Sequence, residues 1–243
     1  MFRGFLNDRS IIIAKYSIGR LPNEDGVRLC IAKKLASAVT YLHTALPSPV
    51  IHRDLKPGCI FFNHDHVPKL SNFSLSITIP PTYSDVEDGV RGTIGYLDPA
   101  YMRSGCISEK TNVCSFGVLL LVLLAGRRAW LDIMHIEDYT VIDYVESLAY
   151  QLQAIVDPNI LEEVGGNEPV EHQLHDFLEL ALSCTQERIG GRPFMGDVAR
   201  ELVQIDKSIL PSYLQSTIFV IKHIGYGLNN ITSVRKLISP SSV

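Results

Sequence analysis

The 243-residue chain has no uninterrupted apolar run long enough to cross a bilayer. Its longest, Val113 to Ala125, contains Ser115 and Gly117. It falls short of the about 20 residues a spanning helix needs, so it reads as a buried core helix. SIIIA at 10–14 is too short for a secretory signal core and lacks its cleavage pattern. Phe2, not glycine, follows Met1, so N-myristoylation is not expected. Basic runs are missing and the net charge is −4, which argues against nucleic acid as a partner. No CxxC occurs, and the five cysteines are scattered and odd in number. They read as reduced thiols, as in the cytosol. Internal repeats and low-complexity segments are also lacking. The chain does have ordinary globular composition, 46% hydrophobic and 20% charged, and a length sufficient for one large domain or two small ones.

The chain is organised around HRDLKPGCIFFN, residues 52–63, followed by KLSNFSLS at 69–76 and GTIGYLDPAY at 92–101. The three together resemble the catalytic loop, metal-binding motif and substrate-binding segment of a protein kinase. That chemistry needs a carboxylate to orient the attacking hydroxyl, a cation near the phosphate and oxygen ligands for magnesium. Asp54 supplies the carboxylate and Lys56 the cation. Asp54 has a second reading, as a relic that only holds the loop together. Arg53 reads as structural, pairing with a phosphorylated segment or with neighbouring polar groups.

The metal ligands depart from the pattern. Cys59 stands where the family has Asn, and Asn72 where it has the chelating Asp. Magnesium prefers hard oxygen ligands, and a thiol is soft. Ser74 replaces the DFG glycine, which reduces backbone freedom there. Asn112 replaces the Asp that anchors the catalytic-loop backbone. Ala100 replaces the Glu that pairs with a late Arg, here Arg192. If buried, Arg192 is then expected to carry a costly unpaired charge.

Along the chain, residues 1–22 read as a remnant preceding the lobe, with SIIIAKYSI a strand or distorted helix. Asn23 is a candidate cap. Val27, Ile31, Leu35, Val39 and Leu42 recur at helical spacing, until Pro47 and Pro49 break the chain. Residues 60–71 read as two strands around a turn. In that turn His64, Asp65 and His66 are either metal ligands or exposed turn residues; adjacent side chains on opposite faces favour the turn. Residues 73–99 form the activation segment. Its hydroxyls Thr78, Thr82, Tyr83, Ser84 and Thr93 are either phosphorylated in trans or merely solvated. After Gly126 at least two amphipathic helices are expected, one over 170–185 and one opened by Pro193 and running to about Leu210. QSTIFVIKHI, in an unassigned tail 212–243, is apolar and β-prone.

Residues 23–211 are similar to the C-terminal lobe of plant receptor-like kinases, through AVTYLHTA, PVIHRDLKP, VCSFGVLLLVLL and IVDPNI. FSLSITIPPTYSDVEDGVRGTIGYLDPAY brings the chain near the ZED-related subgroup, close to the wall-associated kinases. The resemblance implies an α+β, protein-kinase-like fold. Its C-terminal lobe is mostly helical, with a β-hairpin over 59–71, a helix over about 23–43 and a central helix over about 111–125. The Gly-rich loop, GxGxxG, does not occur, so the nucleotide-binding N-lobe is expected to be missing. For function it implies a pseudokinase-type adaptor in plant immune signalling, with no cofactor. Its partners would be an intracellular immune receptor and a receptor-like cytoplasmic kinase, meeting the activation segment. The place would be the cytoplasm, or the plasma membrane through those partners. Two other readings stand beside it. One is a Ser/Thr kinase with residual Mg-ATP-dependent transfer. The other is a fragment without function.

Overall fold

Ile31, Leu35 and Val39 are buried, with Ala32 and Ala36 between them. Their four-residue spacing puts them on one helical face, and that helix is α1, Val27–Thr44. The structure is a computed structural model that describes residues 27–63, 67–127, 140–148, 151–164 and 167–208. The expectations for residues 1–22, for the Asn23 cap, for the His64–His66 turn and for the 212–243 tail lie outside these residues.

After α1 the chain forms β1 (Val50–Ile51), the loop carrying His52 to Cys59, then β2 (Ile60–Phe62) and β3 (Pro68–Leu70). β2 and β3 make the expected antiparallel hairpin, with Ile60 opposite Leu70 and Phe62 opposite Pro68. β4 (Ile77–Thr78) returns to β1, pairing Ile77 with Ile51. β5 (Asp85–Glu87) is followed by α2 (Pro99–Ser104) and β6 (Cys106–Ser108), and β5 pairs with β6. Ile51, Ile79, Tyr101 and Ile107 form a small apolar cluster under these strands.

α3, Glu109–Ala125, starts on a capping box in which Ser108 and Thr111 serve each other's backbone N–H groups. It begins about two residues ahead of the expected start, because Ser108 closes that box. Every residue from Thr111 to Ala125 is buried. A helix apolar on all sides must be surrounded, and α3 is the axis of the larger core.

Five helices follow among the described residues: α4 (Val141–Ser147), α5 (Leu152–Ile155), α6 (Pro158–Val164), α7 (Glu168–Thr185) and α8 (Met195–Lys207). α7 buries Phe177, Leu178, Ala181 and Cys184. It lies so close to α3 that a Cβ on Gly117 would sit 2.6 Å from Cys184 Cβ and 2.9 Å from the Ala181 carbonyl oxygen. Pro193 does not open α8. Asp197 accepts the Phe194 N–H at 3.3 Å, and the helix begins at Met195, two residues after Pro193.

Ion pairs tie the layers together. Arg28 on α1 donates to the Leu123 carbonyl at 2.7 Å and to Asp157 at 2.6 Å. Lys33 on α1 meets Asp206 on α8 at 2.5 Å. None of the described helices is long and apolar enough to cross a membrane.

Candidate functional site

The site is the loop between β1 and β2, with the turn after β3 and the activation segment closing over it. His52 is fully buried. Its Nε2 lies 2.8 Å from the Ser71 carbonyl oxygen, so Nε2 carries the proton. Nδ1 then accepts the Asp54 N–H at 3.3 Å. Burial lowers the His52 pKa and keeps the ring neutral. Phe73 stacks edge-on against it, with centroids 4.9 Å apart.

Arg53 has a left-handed backbone, φ 68°. That conformation costs a side-chain-bearing residue roughly 1–2 kcal/mol, and its bonds offset the cost. The Arg53 N–H donates to Asn112 Oδ1 at 3.2 Å, so Asn112 does anchor the loop backbone. The guanidinium donates to Asp88 at 2.8 Å, to the Gly89 carbonyl at 2.7 Å and to the Tyr101 hydroxyl at 2.6 Å. Arg53 therefore holds the activation segment through neighbouring polar groups. Asp88 does not stand free in an acidic patch with Asp85 and Glu87. It is the counter-ion of a buried arginine, and only Asp85 and Glu87 remain on the exposed face of β5.

Asp54 is also buried. Its Oδ2 meets Lys56 Nζ at 2.7 Å, and its Oδ1 accepts the Thr93 hydroxyl at 2.6 Å. Lys56 Nζ reaches Thr93 Oγ at 2.5 Å, closing a triangle of carboxylate, ammonium and hydroxyl. Asp54 and Lys56 are thus brought together with Thr93, while the Arg53 guanidinium is turned away to Asp88, Gly89 and Tyr101. Thr93 is not a solvated hydroxyl of the segment. Gly92 lets it approach, since a Cβ there would sit 2.9 Å from the Arg53 carbonyl oxygen, and its φ of 141° suits glycine.

Cys59 and Asn72 stand where the family's metal ligands would. The Cys59 thiol is fully buried and donates to the Asp54 carbonyl at 3.1 Å. Burial raises its pKa, so it stays a neutral thiol. Asn72 turns its amide Nδ2 toward Cys59 Sγ at 3.7 Å, while its Oδ1 accepts the Ser74 hydroxyl at 3.0 Å. A neutral soft sulfur and one engaged amide oxygen do not fit a magnesium ion. Ser74 itself sits without strain in a 3-10 turn. The left-handed residue here is Asn72, φ 63°, and Asn is among the residues that tolerate it.

Asn112 Nδ2 faces His43 Nε2 at 3.0 Å. Since Oδ1 accepts from Arg53, Nδ2 is a donor and His43 Nε2 an acceptor. Burial lowers the His43 pKa to about 4. His43 is then neutral, and its approach to Glu109 at 4.0 Å is not an ion pair.

Arg192 overturns an expectation. It is 2% exposed, yet its charge is paired. NH1 and NH2 donate to the two oxygens of Asp98 at 2.6 and 2.9 Å. Burial, the largest influence, would lower its pKa, but the Asp98 hydrogen bonds and charge, together with neighbouring Cys114 and Cys184, leave it raised. Asp98 also caps α2 by accepting the Ala100 N–H at 2.9 Å. Two residues before the Ala100 position, Asp98 takes over the work of the absent Glu. The Asp-Pro pair at a helix start is a capping signal that sequence reading passed over.

Residues 16–201 match the protein kinase domain family. In Arabidopsis thaliana, "Non-functional pseudokinase ZRK2" is 40% identical over 84% of this chain and 56% of its own length. "Serine/threonine-protein kinase ZRK1" is 38% identical over 85% of this chain and 58% of its own. "Non-functional pseudokinase ZED1" is 38% identical over 74% of this chain and 56% of its own. The chain thus spans about half the length of the curated relatives it matches. With a mostly helical fold and the kinase loop motifs in register, the chain belongs to the protein kinase domain family and groups with the ZED-related plant kinases and pseudokinases.

Proposed function

We propose that this chain is a pseudokinase-type interaction module that transfers no phosphate. The observation that carries this reading is the donor pair Cys59 and Asn72, a neutral buried thiol and a committed amide in place of hard oxygen ligands. Two relatives, each named a non-functional pseudokinase, support it. On this reading Asp54, Lys56 and Arg53 act as a structural clasp that orders the activation segment, and no cofactor is used. The clasp presents residues 74–98, stiffened by Pro80 and Pro81, with Asp85 and Glu87 facing outward. Such a surface suits an adaptor in plant immune signalling that joins an intracellular immune receptor to a receptor-like cytoplasmic kinase in the cytoplasm.

The second reading is a Ser/Thr kinase with residual Mg-ATP-dependent transfer. The intact Asp54–Lys56–Thr93 triangle favours it, as does the relative named as a serine/threonine-protein kinase. Thermal unfolding of the purified chain with and without Mg-ATP separates the two. The interaction-module reading expects no upward shift of the midpoint. A shift that grows with Mg-ATP and vanishes with chelator supports the kinase reading.

A further inference from the structure

An open groove of about 950 Å³ lies between α2, α3, α4 and the C-terminal end of α7. Its apolar lining includes Ile94 and Met102, 57% and 51% exposed, with Leu97 and Leu182 deeper. Four carboxylates line it, Asp143, Glu146, Glu179 and Glu187, and no lysine or arginine does among the described residues. Asp143 is engaged in capping α4, where it accepts the Thr140 N–H at 2.7 Å. The other three are exposed. Glu179 meets His175 at 3.5 Å and Glu187 meets Arg103 at 3.1 Å, both across exposed pairs. Exposed pairs are weak, so an incoming cation can replace either partner.

We propose that this groove docks a basic peptide segment of a partner protein, with an apolar anchor on the Ile94–Met102 floor and Lys or Arg side chains at Glu146, Glu179 and Glu187. The charges decide among occupants. An anionic small molecule would face four carboxylates and, among the described residues, no basic side chain of the lining. A second copy of this chain, at net charge −4, is repelled at long range. A cationic segment gains in encounter rate and in register. The groove shares only Ile94–Leu97 with the segment 74–98, and its charge comes from α4, α7 and the turn after α7. The inference therefore stands whether or not the adaptor reading does.

The test uses the full chain and a fluorescein-labelled peptide, Gly-Lys-Leu-Lys-Phe-Arg-Arg-Gly, read by anisotropy. Saturable binding is expected, weaker at about 300 mM than at about 50 mM salt. Changing Glu146, Glu179 and Glu187 together to Gln is expected to weaken it about tenfold. Met102→Lys should weaken it as well, while Asp85→Asn with Glu87→Gln leaves it unchanged. All these side chains are exposed, and each variant's melting midpoint is compared with the parent to confirm folding. Failure to bind, equal binding of a peptide with Gln at the basic positions, or indifference to the groove variants overturns the inference. So does a dimer in sedimentation that Met102→Lys abolishes, since the occupant is then a second copy. If candidate kinases bind and only the Asp85/Glu87 change weakens them, the adaptor reading survives and the groove falls.

Discussion

Asp98→Ala is the substitution whose cost follows most directly from the geometry. It removes both carboxylate acceptors of a guanidinium that is 2% exposed and leaves it only the neutral Gln186 and Lys110 carbonyls. Removing one partner of a buried pair leaves an uncompensated charge and costs about 3–5 kcal/mol. The α2 cap goes with it, adding about 1 kcal/mol. A domain of this size loses roughly 2–4 °C in midpoint per kcal/mol, so a drop of roughly 8–24 °C is expected. The assay is urea and thermal unfolding of the purified chain. Two further variants isolate the cause. Asp98→Ala with Arg192→Met removes the stranded charge and should recover at least half of the loss. Asp98→Ala with Ala100→Glu restores a carboxylate at the family's position and should recover part. A single variant that loses less than about 1 kcal/mol refutes the reasoning, as does a charge-removing double no better than the single.

Gly117→Ala should destabilise by about 1–3 kcal/mol, read by urea unfolding, because the new Cβ collides with Cys184 and the α7 backbone. The Gly89 N–H and then Arg53 bond the Asp88 carboxylate and hold its pKa below the ordinary aspartate value. The clasp it forms is therefore complete above that value and lost as pH falls through the lowered one. Asp88→Asn should reproduce that loss at neutral pH, seen as faster thermolysin cleavage within residues 83–91. Among the five thiols, Cys30 and Cys106 are exposed and should react quickly with Ellman's reagent. Cys59, Cys114 and Cys184 should react only after denaturation, because burial raises all three pKa values, the last two to about 12.

The sequence spoke clearly where its signal was local. The hairpin, the catalytic loop and α3 could be read from motif spacing and from an apolar run, because neighbouring residues determine them. The Arg192 expectation failed because its partner is 94 positions away and comes from a helix cap. Nothing in the local pattern links Asp98 to a buried guanidinium. Asp88 shows the same limit of local pattern. It sits among Asp85 and Glu87 in sequence, but the alternation along β5 and the turn after it aim it at Arg53. The weight placed on Ser74 was also local reasoning. The backbone strain moved instead to Asn72 and Arg53, where hydrogen bonds with distant groups hold it. The number and ends of the short helices α4 to α6 depend on what α3 and α7 leave uncovered, and periodicity alone does not report that.

If Cys59 and Asn72 leave the kinase loop without a usable magnesium site, as proposed, the chain transfers no phosphate. Transfer of radiolabelled phosphate from Mg-ATP to a generic protein substrate by the purified chain tests it most directly. Loss of even one charge-stabilising element costs about two to three powers of ten in rate. No incorporation above that of an Asp54→Ala control is expected. Incorporation by the native chain that Asp54→Ala abolishes would contradict it.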